Sequence, residues 1–161
     1  VWPEPKPAHR ADANFDDTIT LLGYDVQPQA LAEGGKVRLS AGPGGPQAIN
    51  LTLYWRCNRP TADNLTLLVH LIDEDGHTVA QMDQPPVNGD YPTRAWSAGE
   101  MVEDTHRLSL PSDLSPGDYR LVVGLYQWDT LRRLSAFDAQ GRRLRDDVVP
   151  LLTMSVGEQD R

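Results

Sequence analysis

One cysteine, two lysines and no apolar run approaching the ~20 residues of a membrane span are the scarcities that first bound this 161-residue chain. A lone thiol, Cys57, makes no internal disulfide, so the fold must rest on its core. A chain of this length buries roughly 70% of the surface it exposes when unfolded and needs no covalent staple. Cys57 falls in phase with Leu51, Leu53 and Trp55, which reads as a small buried hydrophobe rather than a nucleophile. Missing disulfides suit either side of a membrane in a chain this long. Also absent are a phosphate-cradling glycine loop, a nucleophile elbow and any His or Cys set at metal-ligand spacing. No catalytic residue, no metal and no cofactor is therefore assigned from the sequence.

Positive charge is scarce as well. Fifteen Lys and Arg stand against 23 Asp and Glu, a formal charge of −8, whereas nucleic-acid binding needs clustered cations to displace counterions from phosphates. The one basic cluster, Arg132, Arg133, Arg142, Arg143 and Arg145, is broken by acidic and turn residues and reads as a solvated hairpin surface. No nucleic-acid partner and no direct membrane insertion are expected, and the isolated chain is expected to be a monomer. Because it opens on Val1, we expect a piece processed or excised from a longer protein.

What the chain does contain is alternation. Residues 1–12 carry Pro3, Pro5 and Pro7, whose spacing favours an extended conformation, so this stretch reads as a proline-rich linker. Residues 13–157 read as one β-rich domain and 158–161 as a disordered tail. Within the domain, short alternating runs separated by glycine, proline and aspartate give nine candidate strands near 17–27, 36–41, 48–57, 64–72, 77–83, 103–110, 118–127, 132–137 and 149–156. The expected fold is a single all-β antiparallel sandwich, immunoglobulin-like or jelly-roll-like.

Several positions can be placed in advance. Leu51, Leu53, Trp55 and Cys57 form one inward row, while Leu65, Leu67, Val69 and Leu71 form another, whose opposite face is also partly apolar and suggests a covered central strand. His70 on that opposite face reads as an ordinary polar residue. Tyr119, delivered onto a strand by Leu114, Pro116 and Gly117, has the setting of a tyrosine corner, its hydroxyl bonding back to upstream backbone. Asp73 to Gly76 and Asp138 to Gly141 each place aspartate three residues before glycine, the pattern of a type I turn closed by a left-handed glycine. Calcium at the first of these turns fits poorly. An EF-hand-type loop needs glycine at position 6 and glutamate at position 12, where this chain has Gly76 too early and Gln84 instead.

Residues 83–104 form the longest irregular connection, rich in proline, aromatics and acids, and loops of this kind are either functional or packed as a cap. An aromatic ring beside carboxylate and amide groups suits a sugar, the ring stacking on the apolar face of a pyranose. The ligand-binding candidates are Tyr91, Trp96, Asp90 and Arg94 in this loop, with Trp128 and Asp129 on a hairpin tip. Of the two tryptophans, Trp96 is expected to anchor the loop and Trp128 to be the better ligand candidate. An alternative is an autonomous carbohydrate-processing enzyme using a pair from Asp83, Asp90, Glu100, Glu103 and Asp104, since two carboxylates at a suitable separation hydrolyse glycosides. A structural spacer or protein-interaction domain is the third reading.

The series Leu21, Leu22, Gly23, Tyr24, Asp25; Leu51, Leu53, Tyr54, Trp55; Val69, His70, Leu71, Asp73, Gly76; Asp83, Pro86, Gly89, Tyr91, Pro92, Trp96, Gly99, Glu100, Asp104; and Leu110, Pro111, Leu114, Pro116, Gly117, Tyr119, Gly124, Leu125, Tyr126 resembles a particular accessory domain. It is similar to the C-terminal soluble β-sandwich domain of bacterial membrane glycosyltransferases of Chloroflexi type, themselves similar to protein mannosyltransferases and aminoarabinose transferases. The resemblance covers about residues 14–156. It implies a non-catalytic module on the extracytoplasmic face, partnered by the membrane-embedded catalytic portion of a parent chain, with a cell-envelope glycan as candidate ligand. It carries no catalytic residue onto this chain.

Overall fold

The computed structural model describes residues 4–27, 36–40 (backbone only) and 48–157. Trp2 and the tail at 158–161 lie outside the described residues. Ten strands are described: β1 (His9–Phe15), β2 (Ile19–Gln27), β3 (Lys36–Ser40), β4 (Ala48–Cys57), β5 (Leu65–Ile72), β6 (Thr78–Gln84), β7 (Met101–Ser109), β8 (Gly117–Gln127), the two-residue β9 (Ala136–Phe137) and β10 (Val149–Gly157). They form two five-stranded sheets, in the orders β7-β4-β2-β1-β9 and β3-β10-β8-β5-β6. The chain is thus an all-β sandwich. Every pairing is antiparallel except β3 with β10, which is parallel.

Period-two alternation builds the core. Inward residues of β4 (Leu51, Leu53, Trp55, Cys57) face those of β5 (Leu65, Leu67, Val69, Leu71) and β8 (Tyr119, Leu121, Val123, Leu125) in one buried cluster. Trp55 is fully buried, with Phe15 edge-on at 5.9 Å between ring centroids. Tyr24 joins the sheets, its hydroxyl donating to the Leu151 carbonyl at 2.6 Å. Cys57 is buried, and burial pushes its thiol pKa up, so little reactive thiolate forms near neutrality. The second face of β5 is covered at Thr66 and Leu68, both buried.

Both aspartate-glycine turns form as expected, with Gly76 and Gly141 in the left-handed region at φ +86° and +78°. In each, the aspartate carboxylate accepts two N–H groups of its own turn, from Asp75 and His77 in one and from Gln140 and Arg142 in the other. The tyrosine corner also forms. The Tyr119 hydroxyl donates to the Ser115 carbonyl at 2.5 Å.

The N-terminal segment departs from the linker expectation. Residues 9–12 belong to β1, which pairs with β2 from His9 opposite Tyr24 to Phe15 opposite Ile19. The Ala8 N–H donates to Asp25 at 2.6 Å, and the His9 and Tyr24 rings stack at 5.0 Å. Gly23 is why the chain can pass there. A Cβ at that position would lie 2.3 Å from the His9 carbonyl oxygen and 2.5 Å from the Pro7 ring. The prolines favour an extended conformation, and an extended segment can lead into a sheet strand when a flat glycine site receives it.

Candidate functional site

One end of the sandwich gathers the candidate residues. The β1–β2 turn, the connection from Cys57 to Leu65, the segment 93–100 and the β8–β9 hairpin meet there through named bonds. The Leu65 N–H donates to Thr93 Oγ1 at 2.9 Å, which in turn donates to the Asp63 carbonyl at 2.7 Å. Gln127 Nε2 donates to Asp63 at 2.9 Å, and the Asp16 N–H to the Ser135 carbonyl at 3.0 Å. Between these loops lies an open cleft of about 490 Å³, lined among others by Asp16, Arg59, Thr61, Asp63 and Arg132. Its charges are balanced: Arg132 lies 3.9 Å from Asp16, and Arg59 donates to the Thr18 hydroxyl and the Asp16 carbonyl.

The six candidates split into two groups. Trp96 is 2% exposed, its indole N–H donating to the Tyr91 carbonyl at 3.0 Å and its ring tilted on Tyr91 at 6.4 Å. Buried in the core cluster, Trp96 offers a ligand no stacking surface. The half-buried Tyr91 donates its hydroxyl to Glu100 at 2.7 Å, and that bond pushes its pKa up. Asp90 and Arg94 are exposed on the same segment. Trp128, by contrast, is 67% exposed on the hairpin that follows β8, with Leu131 beside it at 69%. Among the described residues these two are the large apolar side chains left exposed. The hairpin is closed by the Leu131 N–H donating to the Gln127 carbonyl at 2.7 Å, and Asp129 accepts the Thr130 N–H. Arg132, at the hairpin's base, is one wall of the cleft.

Three of the acidic loop's five carboxylates, Asp83, Glu100 and Asp104, accept hydrogen bonds from the fold. Asp104 is fully buried on β7, accepting the Val87 N–H at 2.7 Å and the Trp55 indole N–H at 3.1 Å. His106, also buried, brings Nε2 within 2.6 Å of Asp104 and its Nδ1 to Gln84 at 3.2 Å. Glu100 accepts the Ser97 N–H and the Tyr91 hydroxyl. Asp83 bridges His70 Nε2 at 3.1 Å and the Tyr126 hydroxyl at 3.0 Å. Burial, followed by that hydrogen bond, pushes the Tyr126 phenol up to about 12.

Sequence reasoning missed the pairing of Asp104 with His106. The signal was present in Val102, Asp104, His106 and Leu108, four alternate positions of one strand, two of them polar in core phase. At the opposite end, Asp73, Asp75 and His77 bring one ligand atom each within 4.8 Å. Asp73 Oδ1 already accepts the turn's own N–H groups, so turn chemistry accounts for it.

Fold and surface together define the class: a β-sandwich domain with a mixed-charge end cleft and an exposed tryptophan on a hairpin that contributes Arg132 to the cleft. No protein-family model and no curated relative matches the chain. Among solved structures it is similar to the C-terminal domain of Wzt, with TM-score 0.53 and 15% identity over 96% of this chain and 84% of that one. It is similar also to a Niemann-Pick type C2 protein from the Japanese carpenter ant, with TM-score 0.53 and 5% identity over 97% and 98% of the two chains. At such identities the likeness shows the sandwich fold. Among the described residues no helix is long and apolar enough to cross a membrane.

Proposed function

We propose that this domain is a non-catalytic binding module for a glycan, serving as the extracytoplasmic accessory domain of a membrane glycosyltransferase. The observation that carries the glycan reading is Trp128, a large ring held in solvent on the same short hairpin whose Arg132 lines a polar cleft. An exposed indole on a short, hydrogen-bonded hairpin offers the apolar face of a sugar a flat partner at little ordering cost. Thr61, Asp63, Arg59 and Arg132 supply donors and acceptors for hydroxyls from the adjoining cleft. The transferase context rests on the sequence resemblance alone.

Non-catalysis is supported by the way the loop's acids are spent. A glycosidase needs one carboxylic acid ready to protonate a leaving group and a second facing the sugar. Of the five acids that could supply such a pair, Asp104 and Glu100 instead hold backbone N–H groups and Asp83 holds His70 and Tyr126, which leaves Asp90 and Glu103 exposed.

A glycan array of bacterial envelope polysaccharides, probed with the 161-residue chain and with Trp128→Ala, tests the reading. Binding by the parent that falls at least tenfold in the variant, both proteins melting alike, is the expected result. Binding unchanged in the variant would overturn the Trp128 site. No binding to any glycan would favour a spacer, and release of reducing sugar would reveal an enzyme.

A further inference from the structure

We propose that strand β7 pairs antiparallel with β7 of a second copy of this chain, centred on Thr105, to make one continuous sheet across a two-fold dimer. This holds whether or not the domain binds a glycan. Among the described residues β7 has a single ladder partner, β4, along its whole length from Met101 opposite Arg56 to Ser109 opposite Ala48. Its other side is a sheet edge, approached on the inner face by Gln84 and Val87, which bond His106 and Asp104. Natural edges are blunted by prolines, lysines, bulges or short length. This one has nine residues, no proline, no lysine and no register shift against β4.

The strand is also a chemical palindrome. In an antiparallel pair centred on Thr105, each residue faces the one equally far on the other side of it. Glu103 then meets Arg107 of the second copy, Thr105 meets its own equivalent, and Arg107 meets Glu103, all on the exposed outer row. The inner row, Val102, Asp104, His106 and Leu108, is buried in each copy's own core, so the outer row and the backbone ladder make the contact. Opposite charges and Thr–Thr pairs directly across an antiparallel ladder stabilise it, while like charges there destabilise it. Charges of one sign would repel a second copy. Here the signs reverse about the centre, so two-fold symmetry brings unlike charges together twice.

The other three edge strands lack this property: β3 carries Lys36 and Arg38 with no acid to oppose them. Strand β6 has a register shift, and its only charged residue, Asp83, is engaged by His70 and Tyr126. Strand β9 has two residues.

Sedimentation of the 161-residue chain over a wide concentration range, together with a charge-swap cycle, tests the proposal. The parent should dimerise. Glu103→Arg or Arg107→Glu alone places like charges opposite each other at two points of the dimer and should weaken it at least tenfold, while the double reversal should restore it. Thermal melts verify that each variant folds. In addition, Thr105→Cys should form an intermolecular disulfide under mild oxidation, because opposed residues in an antiparallel ladder lie about 4.5 to 5.5 Å apart at Cα and the native Cys57 is buried. A parent that stays monomeric at every concentration, or single reversals without effect, overturns the proposal. So does a double reversal that fails to restore the dimer.

Discussion

Trp96 and Trp128 are the same side chain in two loops at one end of the same sandwich, yet one is 2% and the other 67% exposed. The difference lies in what each segment does with its polar groups. Segment 83–104 folds inward: Asp104 caps the Val87 N–H, Glu100 caps the Ser97 N–H, and Trp96 joins the core cluster with its indole N–H on the Tyr91 carbonyl. The hairpin from Gln127 to Arg132 closes on itself through backbone bonds, so its aromatic has nothing to cover. An acidic, aromatic-rich loop is therefore not by its composition a binding loop. Its acids can be the reason its aromatics are buried.

The largest test of this contrast is Trp96→Ala. Emptying a packed indole site and freeing the Tyr91 carbonyl should cost about 3 to 5 kcal/mol, read as a lower urea midpoint at unchanged slope. A loss below about 1 kcal/mol would mean the cap can collapse around the void, and the inward-folding account would fail.

How far the sequence disclosed these roles depended on whether the signal was periodic. Alternation located β4, β5, β8 and β10 to within one or two residues, and aspartate-glycine spacing located both turns. Strand β1 was not legible. His9, Arg10 and Asp12 give it no apolar rhythm, and its place depends on Gly23, 14 residues away from His9 in sequence but against its carbonyl in space. Trp96 is buried, as expected of a loop anchor, and Asp104 sits in core phase by the same alternation that places Val102, His106 and Leu108, but a polar residue in that phase is legible only once its partners Val87 and Trp55 are known. Because β1 is a docked strand, removing residues 1–12 should cost about 2 kcal/mol or more, through the lost Asp25 bond, the His9 stack and part of the ladder. A melting temperature unchanged by the truncation would restore the linker reading.

A smaller effect sharpens the claim that the loop's carboxylates are structural acceptors. Asp83 accepts the Tyr126 hydroxyl, and burial together with that bond raises the phenol from its ordinary 10.0 to about 12. In the unfolded chain the phenol ionises near pH 10, while in the folded chain it keeps its proton to about 12. The native state therefore binds more protons in that window, and this contribution to stability is complete below pH 10 and is lost as pH rises towards 12. Tyr126→Phe should cost about 1 kcal/mol at neutral pH and flatten that alkaline fall. Parallel losses in parent and variant between pH 9 and 11 would show that Tyr126 is not the group responsible.

The smallest expected effects are at the hairpin tip. Trp128→Ala should change stability by less than about 0.5 kcal/mol, since an exposed ring has little packing to lose. Leu131 adds a sharper version, because its φ of +60° is a left-handed conformation that a branched side chain adopts at a cost, and its side chain gains no burial in exchange. Leu131→Gly relieves that strain, so the variant should be no less stable than the parent, with a gain of up to about 1 kcal/mol. Thermal melts of Trp128→Ala, Leu131→Gly and the double variant decide the matter. If the double variant melts well below the parent, Trp128 and Leu131 are holding the hairpin to the body, and the tip would be a second anchor like Trp96. If all three melt with or above the parent, stability does not require two apolar side chains in solvent at this end, and the tip is free to serve a ligand as the glycan reading needs.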